Sequence, residues 1–244
     1  MAAKKAAPTN TKPATKTAPN TEEPAVLALP SQWPGAFKAY KYSKQAVKLN
    51  ANAIVGWLII EVLLSVIISG LGRSGGGAPS RGLFEVVSYL ITPLFSAIIT
   101  KTLIAGVRRQ PVSFEAAFSR GASYWLNNLV LSILVTVTVI ISLLLLIIPF
   151  FFVWPRLTLA TYFLVDKNFG PVEAYKASWK ATKGYVGRLY GILGAQIAMG
   201  LLALTVIGIP FAIYFLIMYS AAHAVIYELI LGSPAGGDQA SVEV

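Results

Sequence analysis

Four residues carry most of the chemistry this chain could do: Glu61, Lys101, Arg156 and His223. Each lies inside a long apolar run, where an ionisable side chain is costly and is kept for a partner, a cavity or a pathway. At ~1.5 Å of rise per residue they sit roughly 9 to 14 Å from the basic ends of their runs. A carboxylate, two cations and an imidazole at similar depth make a candidate intramembrane polar layer. One reading is an ion pair of Glu61 with Arg156 or Lys101 that locks helices together, with Lys101 reaching toward the surface. The other is a substrate or proton pathway. His223 reads first as a polar packing residue, and Glu228, nearer the surface, as an interfacial partner for a loop lysine.

Other chemistry is excluded by what the chain lacks. His223 is the only histidine, there is no cysteine, and the ten carboxylates are scattered. That leaves no metal cluster, no thiolate site and no G-x-S-x-G elbow for a nucleophilic serine. Gly75 to Gly77 reads as a flexible external loop, since no Lys-Ser/Thr step or helix start follows it as a phosphate cradle requires. The expectation is a protein that is not an enzyme, with no catalytic residue, no cofactor and no metal.

The elements that must position the four residues follow from composition. Of 244 residues, 56% are hydrophobic and only 12% charged, and the mean hydropathy is +0.67. A soluble domain carries about 25% charged residues, so an all-α integral membrane protein is the default. Residues 1–32, rich in Ala, Lys, Thr and Pro, read as a disordered tail. Residues 33–232 read as the membrane domain, and 233–244 as a short second tail. Six apolar segments follow one another: Ala53–Gly70, Phe84–Val107, Leu126–Ile148, Phe150–Val165, Leu189–Ile207 and Pro210–Leu231. The fourth is short, contains Pro155 and Arg156, and is entered through Pro149. A Gly/Ser/Pro-rich loop over Leu71–Leu83 joins the first two, an Ile-Pro step joins the third and fourth, and Gly208–Pro210 joins the last two. The expected architecture is six transmembrane helices as three hairpins.

An amphipathic stretch opening at a proline precedes each hairpin: Pro34–Leu49, Pro111–Trp125 and Pro171–Gly184. In the second, Phe114, Ala117, Phe118, Gly121 and Trp125 share a face. In the third, Ala174, Ser178 and Ala181 oppose Lys176, Lys180 and Lys183. A threefold repeat of interfacial helix plus hairpin is expected. In the fifth segment Gly187, Gly191, Ala195 and Ala198 form a small-residue stripe suited to helix packing.

The basic residues set the orientation. On six spans, sixteen of the twenty lysines and arginines fall on one side, and only Arg73 and Arg81 on the other. The positive-inside bias then puts both termini in the cytoplasm of a multi-pass cell-membrane protein. The same bias accounts for the +10 charge, which removes the case for nucleic acid. The expected partners are anionic lipid headgroups, with Lys176, Lys180, Lys183 and Arg188 as candidate contacts, and another membrane protein.

The stretch RLTLATYFLVDKNFGPVEAYKASWKATKG, Arg156–Gly184, resembles the membrane domain attached to some bacterial glycerophosphoryl diester phosphodiesterases. It is similar too to stand-alone, uncharacterised bacterial membrane proteins related to that domain. The matching positions are Arg156, Asp166, Ala174, Ser178, Thr182 and Gly184. The resemblance implies a six-helix membrane unit with no established activity of its own, the phosphodiesterase chemistry belonging to a separate soluble barrel that this chain does not contain. The expected function is a non-enzymatic accessory or scaffolding role toward lipid or membrane proteins. The alternative is a transporter or lipid-handling channel using the intramembrane charges.

Overall fold

The computed structural model describes residues 29–74, 78–145 and 147–232. The two expected tails lie outside these, apart from Leu29–Gln32, and so does the Gly75–Gly77 loop. Among the described residues the chain is all helical. In order the helices are α1 (Ala36–Leu49), α2 (Ala51–Ser74), α3 (Ala78–Val107), α4 (Phe114–Ala122), α5 (Trp125–Leu145), α6 (Ile147–Leu157), α7 (Ala160–Lys167), α8 (Pro171–Ala181), α9 (Val186–Leu201), α10 (Gly208–Tyr219) and α11 (Ala222–Leu231). Five stretches are long and apolar enough to cross a membrane: Ala51–Gly72, Gly82–Val107, Trp125–Leu145, Val186–Leu204 and Gly208–Leu231. The protein is a multi-pass membrane protein by this measure.

The helix ends differ from expectation in instructive ways. The loop expected over Leu71–Leu83 is largely helix, because Pro79 falls in the first turn of α3, where its missing N–H costs nothing. Pro149 and Pro210 likewise sit inside the first turns of α6 and α10 and not in the turns before them. At the second of these turns Thr205 accepts the Gly208 N–H at 3.0 Å. A Cβ on Gly208 would lie 1.8 Å from the Leu202 carbonyl oxygen, so only glycine fits. The fourth apolar segment is two short helices, α6 and α7, parted at Thr158–Leu159, and α10 and α11 part at Ser220–Ala221.

Proline explains one contact between α6 and α9. Pro155 has no N–H to offer the Phe151 carbonyl one turn earlier, and the Tyr190 hydroxyl of α9 donates to that oxygen instead. Pro93 lies inside α3, which stays one continuous helix. Beside it α5 is tied to α3 by Trp125 Nε1 donating to the Leu90 carbonyl and Asn128 Nδ2 to the Pro93 carbonyl, both at 2.8 Å.

Burial is concentrated at one end. The main core joins α1, the last turns of α3, α7, α8, the first half of α9 and all of α11. The far halves of α2, α5 and α10 expose Val66, Ile67, Ile140, Leu144, Phe211 and Ile213, an apolar coat suited to lipid. The packed end is also the end where the basic residues gather.

The three amphipathic stretches are α1, α4 and α8, and each docks through small residues spaced four apart. In α1 the buried face is Ala39, Ser43, Ala46 and Val47. In α8 it is Ala174, Ser178 and Ala181, followed by Thr182, the same spacing. In α4 it is Ala117 and Gly121. Ser43 Oγ donates to the Met218 carbonyl at 2.7 Å, just before the α10–α11 break. Ser178 Oγ donates to the Arg156 carbonyl at 2.6 Å, just before the α6–α7 break. Gly121 lies directly on the Ile98 backbone of α3. α1 and α8 thus sit against interrupted helices and satisfy carbonyls there, while α4 lies on the unbroken α3.

Candidate functional site: an ionic cluster at the basic end

The ends of three helices place the site. α3 closes in a Schellman-type turn, with Arg109 N–H donating to the Gly106 carbonyl at 3.1 Å and Gln110 N–H to the Ala105 carbonyl at 2.8 Å. Arg109 takes the left-handed conformation, φ 60°, at the position where glycine is usual. α7 ends on Asn168, also left-handed at φ 56°, a conformation asparagine tolerates. These turns leave Arg108, Asp166 and Glu228 facing one another.

The Arg108 guanidinium holds Asp166 through both η nitrogens, with Nη2 to Oδ2 at 2.7 Å, and Glu228 Oε1 through Nε at 2.7 Å. Tyr227 OH donates to Asp166 Oδ2 at 2.9 Å. The Asp166 side chain is 4% exposed, Glu228 15% and Arg108 34%. A planar guanidinium suits this two-sided clamp, because its fork matches a carboxylate. Burial pushes the Asp166 carboxyl up, but hydrogen bonds from Arg108 and Tyr227 outweigh it and hold the group below its ordinary value. Burial likewise works against charge on Arg108, and the two carboxylates more than restore it.

The expected polar layer does not assemble, since its four residues lie in four separate surroundings. Glu61 lies between α2 and α3, in a cavity of about 10 Å³ with Ser65, Ser88 and Thr92, room for one water at most. Lys101 donates to the Val165 carbonyl and stands 5.3 Å from the Tyr124 ring centroid. Arg156 stacks 4.9 Å over Trp179, and its buried Nε has no hydrogen-bond partner. His223 lines a separate cavity of about 320 Å³ with Tyr162, Tyr190 and Gln196. Among the described residues the ion pairs are those of Arg108, so the expected pairing of Glu61 with Lys101 or Arg156 is not made. The depth argument fixed distance along each helix but not which way a side chain turns. Glu228 has a cation partner, as expected, but it is Arg108 and not a loop lysine.

Other expected contacts fare differently. Lys176, Lys180, Lys183 and Arg188 are all exposed, and α8 packs on α5, α6 and α7. Of the small-residue stripe, Ala195 is buried and Gly191 meets Ala36, with a Cβ placed 3.4 Å from that methyl. Gly187 and Ala198 are exposed. Phe114 and Phe118 stack on Trp57 at 4.5 and 5.3 Å but keep an exposed edge, so the inner face of α4 is Ala117 and Gly121 alone.

Sequence reasoning missed Arg108 and Tyr227, and reached Asp166 only through the resemblance. No signal in the sequence alone marks them, but the structure shows a regularity. Arg108, Asp166 and Glu228 each lie ten residues past a docking point of an amphipathic helix, at Ile98, Arg156 and Met218. No family model, curated protein or solved structure matches the chain.

Proposed function

We propose that this protein is a non-enzymatic membrane scaffold that gathers anionic lipid headgroups at its basic, cytoplasmic end. The observation that carries this reading is the fixed presentation of cations by docked amphipathic helices. Lys41 and Lys48 on α1, and Lys176, Lys180 and Lys183 on α8, are exposed, while the opposite faces of those helices are buried in the core. Cations held in this way near a bilayer attract anionic headgroups at about 1 kcal/mol each before screening. Phe150–Val165 serves as the sixth span, broken near its middle at Thr158–Leu159, and the three units of amphipathic helix and two spans form a threefold repeat. With six spans both termini face the cytoplasm. The reading agrees with the resemblance of Arg156–Gly184 to a membrane domain that has no activity of its own. Transport is less well supported, because the cavities that hold Glu61, Lys101 and His223 share no lining residue.

The test is lipid retention. Reversing Lys176, Lys180 and Lys183 to glutamate is expected to reduce several-fold the anionic lipid that co-purifies with the protein, as read by mass spectrometry of extracted lipid. The fold should survive, since these side chains are exposed and make no ion pair among the described residues. Retention equal to that of the unaltered protein would overturn the headgroup role.

A further inference from the structure

We infer that the cavity between the end of α3, the Gln110–Val112 turn and α4 is a binding site for a phosphate-type anion. The phosphate is that of a lipid headgroup or free inorganic phosphate. The inference rests on the headgroup reading above, but on different residues from the α8 lysines.

The cavity measures about 180 Å³ and is lined by Lys101, Arg108, Gln110, Arg120 and Asp166 among others. Three cations thus face one carboxylate. That carboxylate is already committed, since both its oxygens are bonded by Arg108 and one of them also by Tyr227. Arg108 is committed in turn to Asp166 and Glu228. Lys101 and Arg120 are left without a carboxylate within 4.0 Å among the described residues. Lys101 is half-buried and bonds only to a neutral carbonyl. A partly desolvated ammonium facing an open polar cavity whose one carboxylate is already paired with Arg108 favours an anion in that cavity.

The walls are fixed in advance. Asn50 is 2% exposed. Its Nδ2 donates to the Gln110 carbonyl at 3.1 Å, and its Oδ1 accepts the Val112 N–H at 2.8 Å. Both ends of the turn that borders the cavity are therefore held by one buried side chain. Preformed walls lower the ordering cost of binding. Size and charge also discriminate. A phosphate group fits a void of this volume, and a cation is repelled by the surplus of positive charge.

The experiment uses the full chain in nanodiscs of phosphatidylcholine, with or without phosphatidylglycerol, and follows the melting temperature. A second arm titrates inorganic phosphate into the phosphatidylcholine discs. The variants are Arg120→Gln, the pair Lys101→Gln with Arg120→Gln, and the triple Lys176→Gln, Lys180→Gln, Lys183→Gln. Glutamine at 101 keeps a donor for the Val165 carbonyl, and Arg120→Gln alone, at an exposed position, serves if the pair fails to fold. The expected result is stabilisation of the unaltered protein by one of the two ligands. Its apparent affinity should fall about tenfold in the pair and less in Arg120→Gln, and stay near the original in the α8 triple. Stabilisation by phosphatidylglycerol alone identifies a lipid phosphate, and saturable stabilisation by inorganic phosphate identifies the free anion. If neither ligand stabilises the unaltered protein, or if the Lys101 and Arg120 variants respond as it does, the site is overturned. A loss confined to the α8 triple would overturn the site while leaving the headgroup reading intact.

Discussion

Replacing Arg108 by glutamine is expected to cost about 2–3 kcal/mol of stability, seen as a lowered melting temperature in detergent. The change leaves Asp166 and Glu228 facing each other with no cation between them. Removing one partner of a fully buried pair costs about 3–5 kcal/mol. The smaller figure applies because Arg108 is about one-third exposed and water screens part of the loss. Asp166→Asn added to Arg108→Gln should recover part of the deficit, since it removes one of the stranded charges. Equal melting of Arg108→Gln and the unaltered protein would show that the cluster contributes nothing to the fold.

The pH dependence follows from the same pair. The Asp166 carboxyl is held below its ordinary value of 3.8. A carboxylate depressed in the folded state contributes stability that is present above the ordinary value and is lost as pH falls through the folded one. The protein should therefore lose this contribution only in the acid range below about 4. The loss should be absent in Asp166→Asn.

Gly121→Ala is the second change with a large expected effect. A Cβ there would stand 2.4 Å from Ile98 Cα and 2.9 Å from Ile98 N. These are backbone atoms, which have no rotamer by which to yield, so α4 must lift off α3. Overpacking of this kind costs about 1–3 kcal/mol. The control is Gly194→Ala in the interior of α9, where a Cβ meets nothing within 4 Å. Alanine raises helix propensity by about 0.8–1 kcal/mol at such a position. The two substitutions, chemically identical, should therefore move the melting temperature in opposite directions. A stabilising Gly121→Ala would contradict the close contact of α4 with α3.

Class and element positions were legible because a bilayer leaves few options for an apolar run. The three amphipathic stretches were legible from helical spacing, and their small faces became the docking faces. Helix interruptions were harder to see. The α10–α11 break at Ser220–Ala221 has neither proline nor glycine, and its nearest cause is α1, whose Ser43 arrives from 175 residues away. The ionic cluster was illegible for a related reason. Arg108 and Asp166 lie at element ends, where they read as loop charges, and Glu228 reads as a partner for a loop lysine. Their convergence depends on how three chain segments pack. Glu61, Lys101 and Arg156 stood out because their locations are unusual, yet rarity along the chain carries no information on mutual direction.

The docking of α1 has a consequence for biosynthesis. Its Ser43 binds the Met218 carbonyl and its Ala36 carbonyl accepts from Tyr219 OH at 2.7 Å, so an early segment is completed by a very late one. While the ribosome is still making the intervening chain, α1 can pack on the end of α3, but the face that carries Ser43 has no seat. A nascent chain halted before Met218 is thus unfinished at its beginning as well as at its end. Membrane quality control has that open face by which to recognise such a chain.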